Sequence, residues 1–254
     1  MARVLLTGGN GFLASHILDL LLARGQSVVT TVRSHEKAEQ IRERHPYAST
    51  TQLGVIIVPD FISAGAFDEC FKSDASFDVV MHTASPFRYS ITDIQGELLD
   101  PAIIGTIALL EAIRKNAPSI KKVRIRNFMV GEYKAEIPDT GTSFFLWVDV
   151  RDAALAHIRA MEALGAVNQR FLLTAGYFSN KEICEVIRGS FPEYRPQLPE
   201  QNTGGGGYPN KGLYGFDNSR ATKKLGLTYR TLSASITDTV MSLQKLQNWE
   251  KITA

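Results

Sequence analysis

Short apolar runs alternate with stretches of helical spacing through the first half of the chain. Arg3 to Thr7 reads as a strand and Gly8 to Gly11 as a turn. Leu13, Ile17 and Leu20/Leu21 then mark the buried side of a helix that Gly25 ends. Ser27 to Val32 is a second strand, rich in β-branched residues, and a polar helix over Glu36 to Arg44 stops before Pro46. Val55 to Val58 and Phe77 to Met81 add two more apolar runs. Leu98 to Ile113 predicts a long helix with Ile103, Ile107 and Leu110 on its buried side; Gly105 allows close backbone approach, and Pro101 weighs against a straight course. Ile120 to Ile125 is the fifth strand. Short, uniformly apolar runs joined by helices are what a parallel sheet covered on both faces requires. The pattern therefore predicts an α/β fold with a Rossmann-like, doubly wound parallel sheet.

After Ile125 the rhythm breaks. Only 21 residues separate it from Trp147, and they include Gly131, Pro138 and Gly141. A strand-helix-strand unit needs about 30 residues, so the fold is internally shortened after the fifth strand. Arg124 and Arg126 fit that reading. They put two guanidinium groups on one face of a strand that should be apolar on both, so they either bind a ligand or lie where a covering helix has been lost; the missing length favours the second. Regular spacing resumes with a helix over Asp149 to Leu164, a strand over Arg170 to Thr174 and a helix over Ser179 to Ile187. The last segment, Leu232 to Leu246, carries Leu232, Ile236, Val240, Leu243 and Leu246 at helical intervals. Gly204 to Gly207 reads most simply as a mobile loop at the mouth of the smaller C-terminal portion, with a substrate lid as the alternative, Asp217 as a helix cap and Gly226 as a helix end.

Composition narrows the class. The 254 residues are 44% hydrophobic and 21% charged, which excludes disordered and collagenous chains. The net charge of +2 gives no reason to expect nucleic acid or an anionic membrane as partner. No apolar run approaches the ~18 residues of a spanning helix, and the start of the chain lacks a signal-peptide layout, so a soluble cytoplasmic protein is expected. Cys70 and Cys184 are too few for a disulfide framework. The five histidines, His16, His35, His45, His82 and His157, lack ligand-like pairing, so no metal site is expected.

Thr7, Gly8, Gly9, Asn10, Gly11, Phe12, Leu13 and Ala14 form a G-x-x-G-x-x-A motif between the first strand and the first helix. The first glycine permits the tight turn, the second leaves bare backbone beside a pyrophosphate, and the small third residue lets helix and sheet pack closely. The helix N-terminus then offers unpaired N–H groups to a diphosphate. No G-K-[ST] follows, so a dinucleotide fits better than a nucleoside triphosphate. NAD recognition calls for a carboxylate about 20 residues beyond the glycines. Here Thr30, Thr31 and Val32 lead instead to Arg33, with Lys37 one turn later, a pair suited to a 2′-phosphate and hence to NADPH or NADP. Asp60 follows the third strand and can accept from an adenine amino group, a position that solvation of a loop acid explains equally well. Thr83, Ala84 and Ser85 leave the carboxyl end of the fourth strand, where backbone groups line the ribose and nicotinamide in such sheets. His82 reads as a hydrogen-bonded structural histidine. The chain thus divides into a dinucleotide-binding core over 1–127, a shortened connection with a helix and strand returning to the core over 128–174, and a small C-terminal lobe with closing helices, on the substrate side, over 175–254.

The runs TGGNGFLASHILDLL (Thr7 to Leu21), TVRS (Thr31 to Ser34), HTASPF (His82 to Phe87), DPAIIGT (Asp100 to Thr106) and WVDVRDAALAHIRAME (Trp147 to Glu162) resemble the extended short-chain dehydrogenase/reductase family. FDNSRATKKLGL (Phe216 to Leu227) resembles the end of such chains. The likeness is greatest to fungal NADPH-dependent aldehyde, ketone and methylglyoxal reductases and their dihydroflavonol and cinnamoyl reductase relatives. It implies that the first motif, including Gly8, Asn10, Gly11, Phe12 and Leu13, binds the cofactor diphosphate, and that Arg33 and Lys37 take the 2′-phosphate. Asp60 with Phe61 matches the adenine neighbourhood, Thr83 to Ser85 the nicotinamide ribose, and Phe87 the substrate pocket.

The resemblance also implies a catalytic tyrosine, a lysine one helical turn later, and a serine or threonine that orients the carbonyl. None stands where the pattern requires it. Between Ile125 and Trp147 no tyrosine is followed four residues later by lysine; Tyr133 and Lys134 are adjacent and do not share a helix face. Tyr177 and Lys181 have the spacing, but Ser179 reads as the cap of the next helix, leaving Tyr177 outside it. Three readings follow: a carbonyl reductase weakened by loss of its acid, a non-redox descendant that keeps the nucleotide cleft for binding, isomerisation or cyclisation, or the product of an internal loss such as splicing. The expected partner is a small carbonyl compound, and a monomer or an altered homodimer is expected because dimer helices of the wider family lie in the affected region.

Overall fold

The computed structural model describes residues 2–72, 76–85, 92–120, 122–125, 145–200, 207–208 and 213–253. Two compact units divide the chain, one of Met1–Val130 with Ala153–Gln169 and one of Gly131–Asp152 with Arg170–Ala254.

In the first unit, β1 (Arg3–Thr7), β2 (Ser27–Val32), β3 (Leu53–Ile57), β4 (Val79–His82) and β5 (Lys122–Ile125) form a parallel sheet of order β3-β2-β1-β4-β5. Val4, Leu5 and Leu6 of β1 are fully buried, as expected of a central strand flanked by parallel neighbours. The strand order reverses between β1 and β4, where Thr7 lies opposite His82; the carboxyl ends at such a switch point are where a ligand fits. α1 (Phe12–Ala23) buries Leu13, Ala14, Ile17, Leu18 and Leu21, and Gly25 ends it in a left-handed conformation at φ +70°. α2 (His35–Arg44) is capped by Ser34, whose hydroxyl accepts from the Lys37 N–H.

α3 (Asp100–Asn116) follows a wider-wound turn over Gln95–Leu99. It corrects the expected orientation: Ile103, Ile107 and Leu110 are 53%, 49% and 40% exposed, while Gly105, Leu109, Ala112 and Ile113 face the core. The helix carries two apolar stripes of similar period, and the small residues decide between them. Gly105 and Ala112 let the helix approach the layer beneath, where a Cβ at 105 would run into the Phe61 ring. The larger isoleucines cannot approach so closely and point outward. Beneath α3, Leu5, Phe67, Cys70, Phe77, Val80 and Leu109 share one cluster, and burial pushes the Cys70 thiol up to about 12.

α4 (Val150–Glu162) buries Ala154, Ala156, Ile158 and Met161. Its start is organised by acids of the second unit. Asp149 accepts from the Arg151 N–H and guanidinium, Arg151 also pairs with Asp238, and the buried Asp152 accepts from the backbone and guanidinium of Arg230. Burial opposes ionisation of Asp149, but the Arg151 hydrogen bonds outweigh it and hold its carboxyl down at about 2. In the same unit β6 (Leu146–Trp147) and β7 (Gly176–Tyr177) pair antiparallel, followed by α5 (Asn180–Ser190), α6 (Ser219–Leu225) and α7 (Leu232–Thr253). The strand expected over Arg170 to Thr174 does not form. The Trp147 carbonyl is taken by the Thr174 hydroxyl and the Ala175 N–H, so the two-residue ladder begins only at Gly176.

The two faces of α3 make a direct test. Leu109→Ala should lower unfolding free energy by about 2–5 kcal/mol, whereas Ile107→Gln should change it by less than about 0.5 kcal/mol, both read from urea denaturation. Equal losses would contradict the orientation of α3.

Candidate cofactor site

The chain leaves β1 and enters α1 across Gly8 to Gly11, a turn braced by Thr31 of β2 and closed by one internal hydrogen bond. The Gly8 N–H donates to Thr31 Oγ1 (3.1 Å), the Gly9 N–H to the Thr31 carbonyl (3.0 Å), and the Gly11 N–H to the Gly8 carbonyl (2.8 Å). Gly8 stands at φ +74°, and a Cβ there would lie 3.1 Å from Ala84 Cα. A Cβ on Gly9 would collide with the Thr30 side chain, whose hydroxyl donates to the Leu6 carbonyl (2.7 Å). Gly11 is the N-cap of α1 and has no side chain to satisfy the first-turn N–H groups, and no acid stands in that turn. The result is an uncapped helix end with open donors, chemically suited to an anion.

The sequence reading named Gly9, Thr7, Thr30 and Thr31 within their runs but gave none of them a part in bracing this region. The signal was present: a hydroxyl on a strand buried on both faces must find a hydrogen-bond partner, and Thr7, Thr30 and Thr31 are the buried polar residues of β1 and β2. Of the motif residues, Phe12 is 76% exposed at the helix start, whereas Leu13 packs into the core and offers the turn only its N–H. Asn10 is exposed.

At the end of β2, the Arg33 guanidinium lies 5.8 Å from the centre of the Phe61 ring, itself packed on Gly105 of α3. Lys37 Nζ lies 3.1 Å from Gln40 Oε1 and 3.9 Å from Glu36. No carboxylate occupies positions 33–35, where ribose hydroxyls would be recognised. Asp60 accepts from the Ser63 hydroxyl (2.6 Å) and the Ile62 N–H (3.1 Å), bonds that hold its carboxyl below the usual range, with Arg33 adding to the effect. The residues therefore fit a phosphorylated dinucleotide: an open diphosphate cradle, Arg33 and Lys37 beyond β2 and no carboxylate at positions 33–35, the nearest acid being Glu36 beside Lys37.

Thr7 joins this turn to the segment leaving β4. Its hydroxyl oxygen accepts from the N–H groups of Thr83 and Ala84 (3.1 Å each) and lies 2.8 Å from His82 Nδ1, while the Thr83 hydroxyl donates to the Thr7 carbonyl (2.6 Å). His82 is 3% exposed, with its ring edge-on to Phe67, and burial alone lowers its pKa to about 4. Thr83, Ala84 and Ser85 are partly exposed at this edge. Phe87, expected at the substrate pocket, lies outside the described residues.

In the second unit, the Tyr177 hydroxyl donates to the Tyr214 carbonyl (2.6 Å) and its ring packs edge-on against Phe216. Ser179 caps α5, accepting from the Glu182 N–H, so Tyr177 precedes the helix and Lys181 is its second residue. This pair lacks the shared helix face that the catalytic arrangement requires. His157 Nδ1 lies 2.7 Å from the Ala153 carbonyl, within its own helix.

Doubly wound topology and an uncapped, threonine-braced glycine turn together define a dinucleotide-binding protein. Comparison with known proteins agrees. The model of the NAD-dependent epimerase/dehydratase family matches residues 4–124, ending one residue short of the end of β5. A ketoreductase of Aspergillus niger, azaE, is 32% identical over 95% of this chain and 97% of its own length. The NADPH-dependent methylglyoxal reductase GRE2 of Saccharomyces cerevisiae is 24% identical over 96% and 98%. The crystal structure of yeast methylglyoxal/isovaleraldehyde reductase Gre2 with NADPH superposes with a TM-score of 0.81 at 22% identity, covering 97% of this chain and 99% of that one. The chain belongs to the NAD-dependent epimerase/dehydratase family. The azaE alignment runs over 337 positions against 254 residues here and covers nearly all of both chains, so most of its gap lies inside this sequence. No helix among the described residues is long and apolar enough to cross a membrane.

Two outcomes follow from the site. Gly9→Ala should cost about 1–3 kcal/mol through overpacking against Thr30, measured by denaturant unfolding. His82 charges near 6.5 when unfolded but only near 4 when folded, so the unfolded state binds the extra proton first. Its contribution to stability is complete above pH 6.5 and is lost as pH falls toward 4. The unfolding free energy of wild type minus that of His82→Asn, followed against pH, should fall across this window and flatten below it.

Proposed function

We propose that this chain binds NADP(H) and is a carbonyl reductase-like protein, acting on small or medium aldehydes and ketones with proton delivery impaired. The observation that carries the reading is the uncapped α1 N-terminus beside a β2 end that is followed by Arg33 and, in the first turn of α2, Lys37, with no carboxylate at positions 33–35. The reductase activities of azaE and GRE2 support the reaction class.

The residues divide the work as follows. The N–H groups at the start of α1 hold the diphosphate, Arg33 and Lys37 the 2′-phosphate, and Asp60 with Phe61 the adenine side. The backbone of Thr83 to Ser85 lines the ribose next to the nicotinamide. When bound, NADPH supplies a hydride to the carbonyl carbon. The carbonyl oxygen must then gain a proton, and no tyrosine with a lysine four residues later lies between Ile125 and Trp147 to deliver it. Loss of such an acid slows the step by about 10²- to 10⁴-fold. The same absence favours a second reading, a non-redox descendant that retains the nucleotide and uses its cleft for binding, isomerisation or cyclisation.

Fluorescence titration should give NADPH a dissociation constant at least about tenfold below that of NADH, and Arg33→Glu should remove the difference. Equal constants for the two would reject the cofactor assignment. Depletion of NADPH with small ketones and aldehydes should be slow for protein of confirmed mass 28.0 kDa. Rapid turnover by that species would reject the impairment, and binding with no turnover would select the non-redox reading.

A further inference from the structure

We propose that His82, buried beside Thr7 at the end of β4, is a positioning residue: its Nδ1 is the acceptor that aims the Thr7 hydroxyl and thereby fixes the Thr83–Ala84 backbone. The inference deepens the NADP(H) reading, because that backbone is the segment assigned above to the nicotinamide ribose.

The argument is a count of donors and acceptors. A threonine hydroxyl has one proton and two lone pairs. The N–H groups of Thr83 and Ala84 both point at Thr7 Oγ1 from 3.1 Å, and an amide N–H can only donate, so both lone pairs are used. Among the described residues the remaining polar atom within reach is His82 Nδ1 at 2.8 Å, and it receives the hydroxyl proton. His82 is therefore neutral and carries its own proton on Nε2, on the side of the ring away from Thr7. Its burial, with Phe67 packed edge-on, leaves the imidazole little room to turn over.

The chain has little freedom to compensate. Ala84 lies against Gly8, where even one added methyl group would be crowded at 3.1 Å. The Thr83 hydroxyl is committed to the Thr7 carbonyl. With the acceptor removed, the Thr7 hydroxyl would turn its proton toward an amide that needs the lone pair, and one of the two N–H groups would lose its partner. The displacement falls on the strand exit and leaves the β1–β4 ladder below it in place.

Long-range ¹H–¹⁵N spectra of the histidine rings, without cofactor, read the tautomer directly: Nδ1 should be unprotonated and Nε2 protonated at neutral pH. His82→Leu removes the acceptor, whereas His82→Asn can return a carbonyl oxygen near the Nδ1 position. His82→Leu should speed amide exchange at Thr83 and Ala84 and weaken NADPH binding about tenfold, the worth of about one hydrogen bond; His82→Asn should restore both most of the way. A proton on Nδ1, or NADPH binding and amide exchange in folded His82→Leu equal to wild type, would overturn the role. If His82→Leu does not fold, the tautomer and the rescue by His82→Asn decide. If wild-type protein does not bind NADPH, the cofactor reading fails, and the tautomer with the exchange rates still decides whether His82 fixes this backbone.

Discussion

A buried strand that passes its chain to a helix within the four residues Gly8 to Gly11 has almost no space for side chains, and the first unit is arranged around that restriction. Gly8 requires a left-handed backbone, Gly9 lies against Thr30, and Gly11 leaves the start of α1 without a cap. The neighbouring strands supply the hydrogen bonds that such a turn cannot make for itself: Thr31 of β2 accepts from the first N–H, and Thr7 gathers the two amides that leave β4. Strand order, glycine placement and buried threonines are thus one solution to one steric problem. The anion-binding character of the helix end is a by-product of solving it with residues that have no side chain to spare.

Much of this was readable in the residues. β1 and β2 have the bounds that their apolar runs indicate, and the glycine motif falls between strand and helix as its spacing requires. Less accessible were features decided by size and partner choice. The period of α3 is plain, but Gly105 against Phe61 determines which stripe turns inward, and no count of apolar positions contains that contact. The segment before β7 looks like a strand by propensity, yet its only described partner is two residues long. Thr7 and His82 are 75 positions apart, and their shared proton becomes visible only when β1 and β4 lie side by side.

The internally shortened sequence separates two properties that are usually joined. The groups proposed to hold the dinucleotide reside in the first unit, within the span that matches the family model. Proton delivery depends on residues that the pattern places after β5, where this chain has too little length for another crossover. On the proposed reading, a diphosphate cradle built from backbone geometry would survive such a change, whereas acid catalysis, which needs two side chains in fixed register, would not.

The outward isoleucines of α3 have a consequence for how molecules of this protein behave toward one another. Ile103, Ile104, Ile107 and Leu110 present apolar surface to water while the chain as a whole carries a formal charge of only +2, which gives weak long-range repulsion. Colloidal behaviour is then governed by the salting-out strength of the medium: sulfate and phosphate, which favour concealment of apolar surface, promote clustering well below the conditions that unfold the chain.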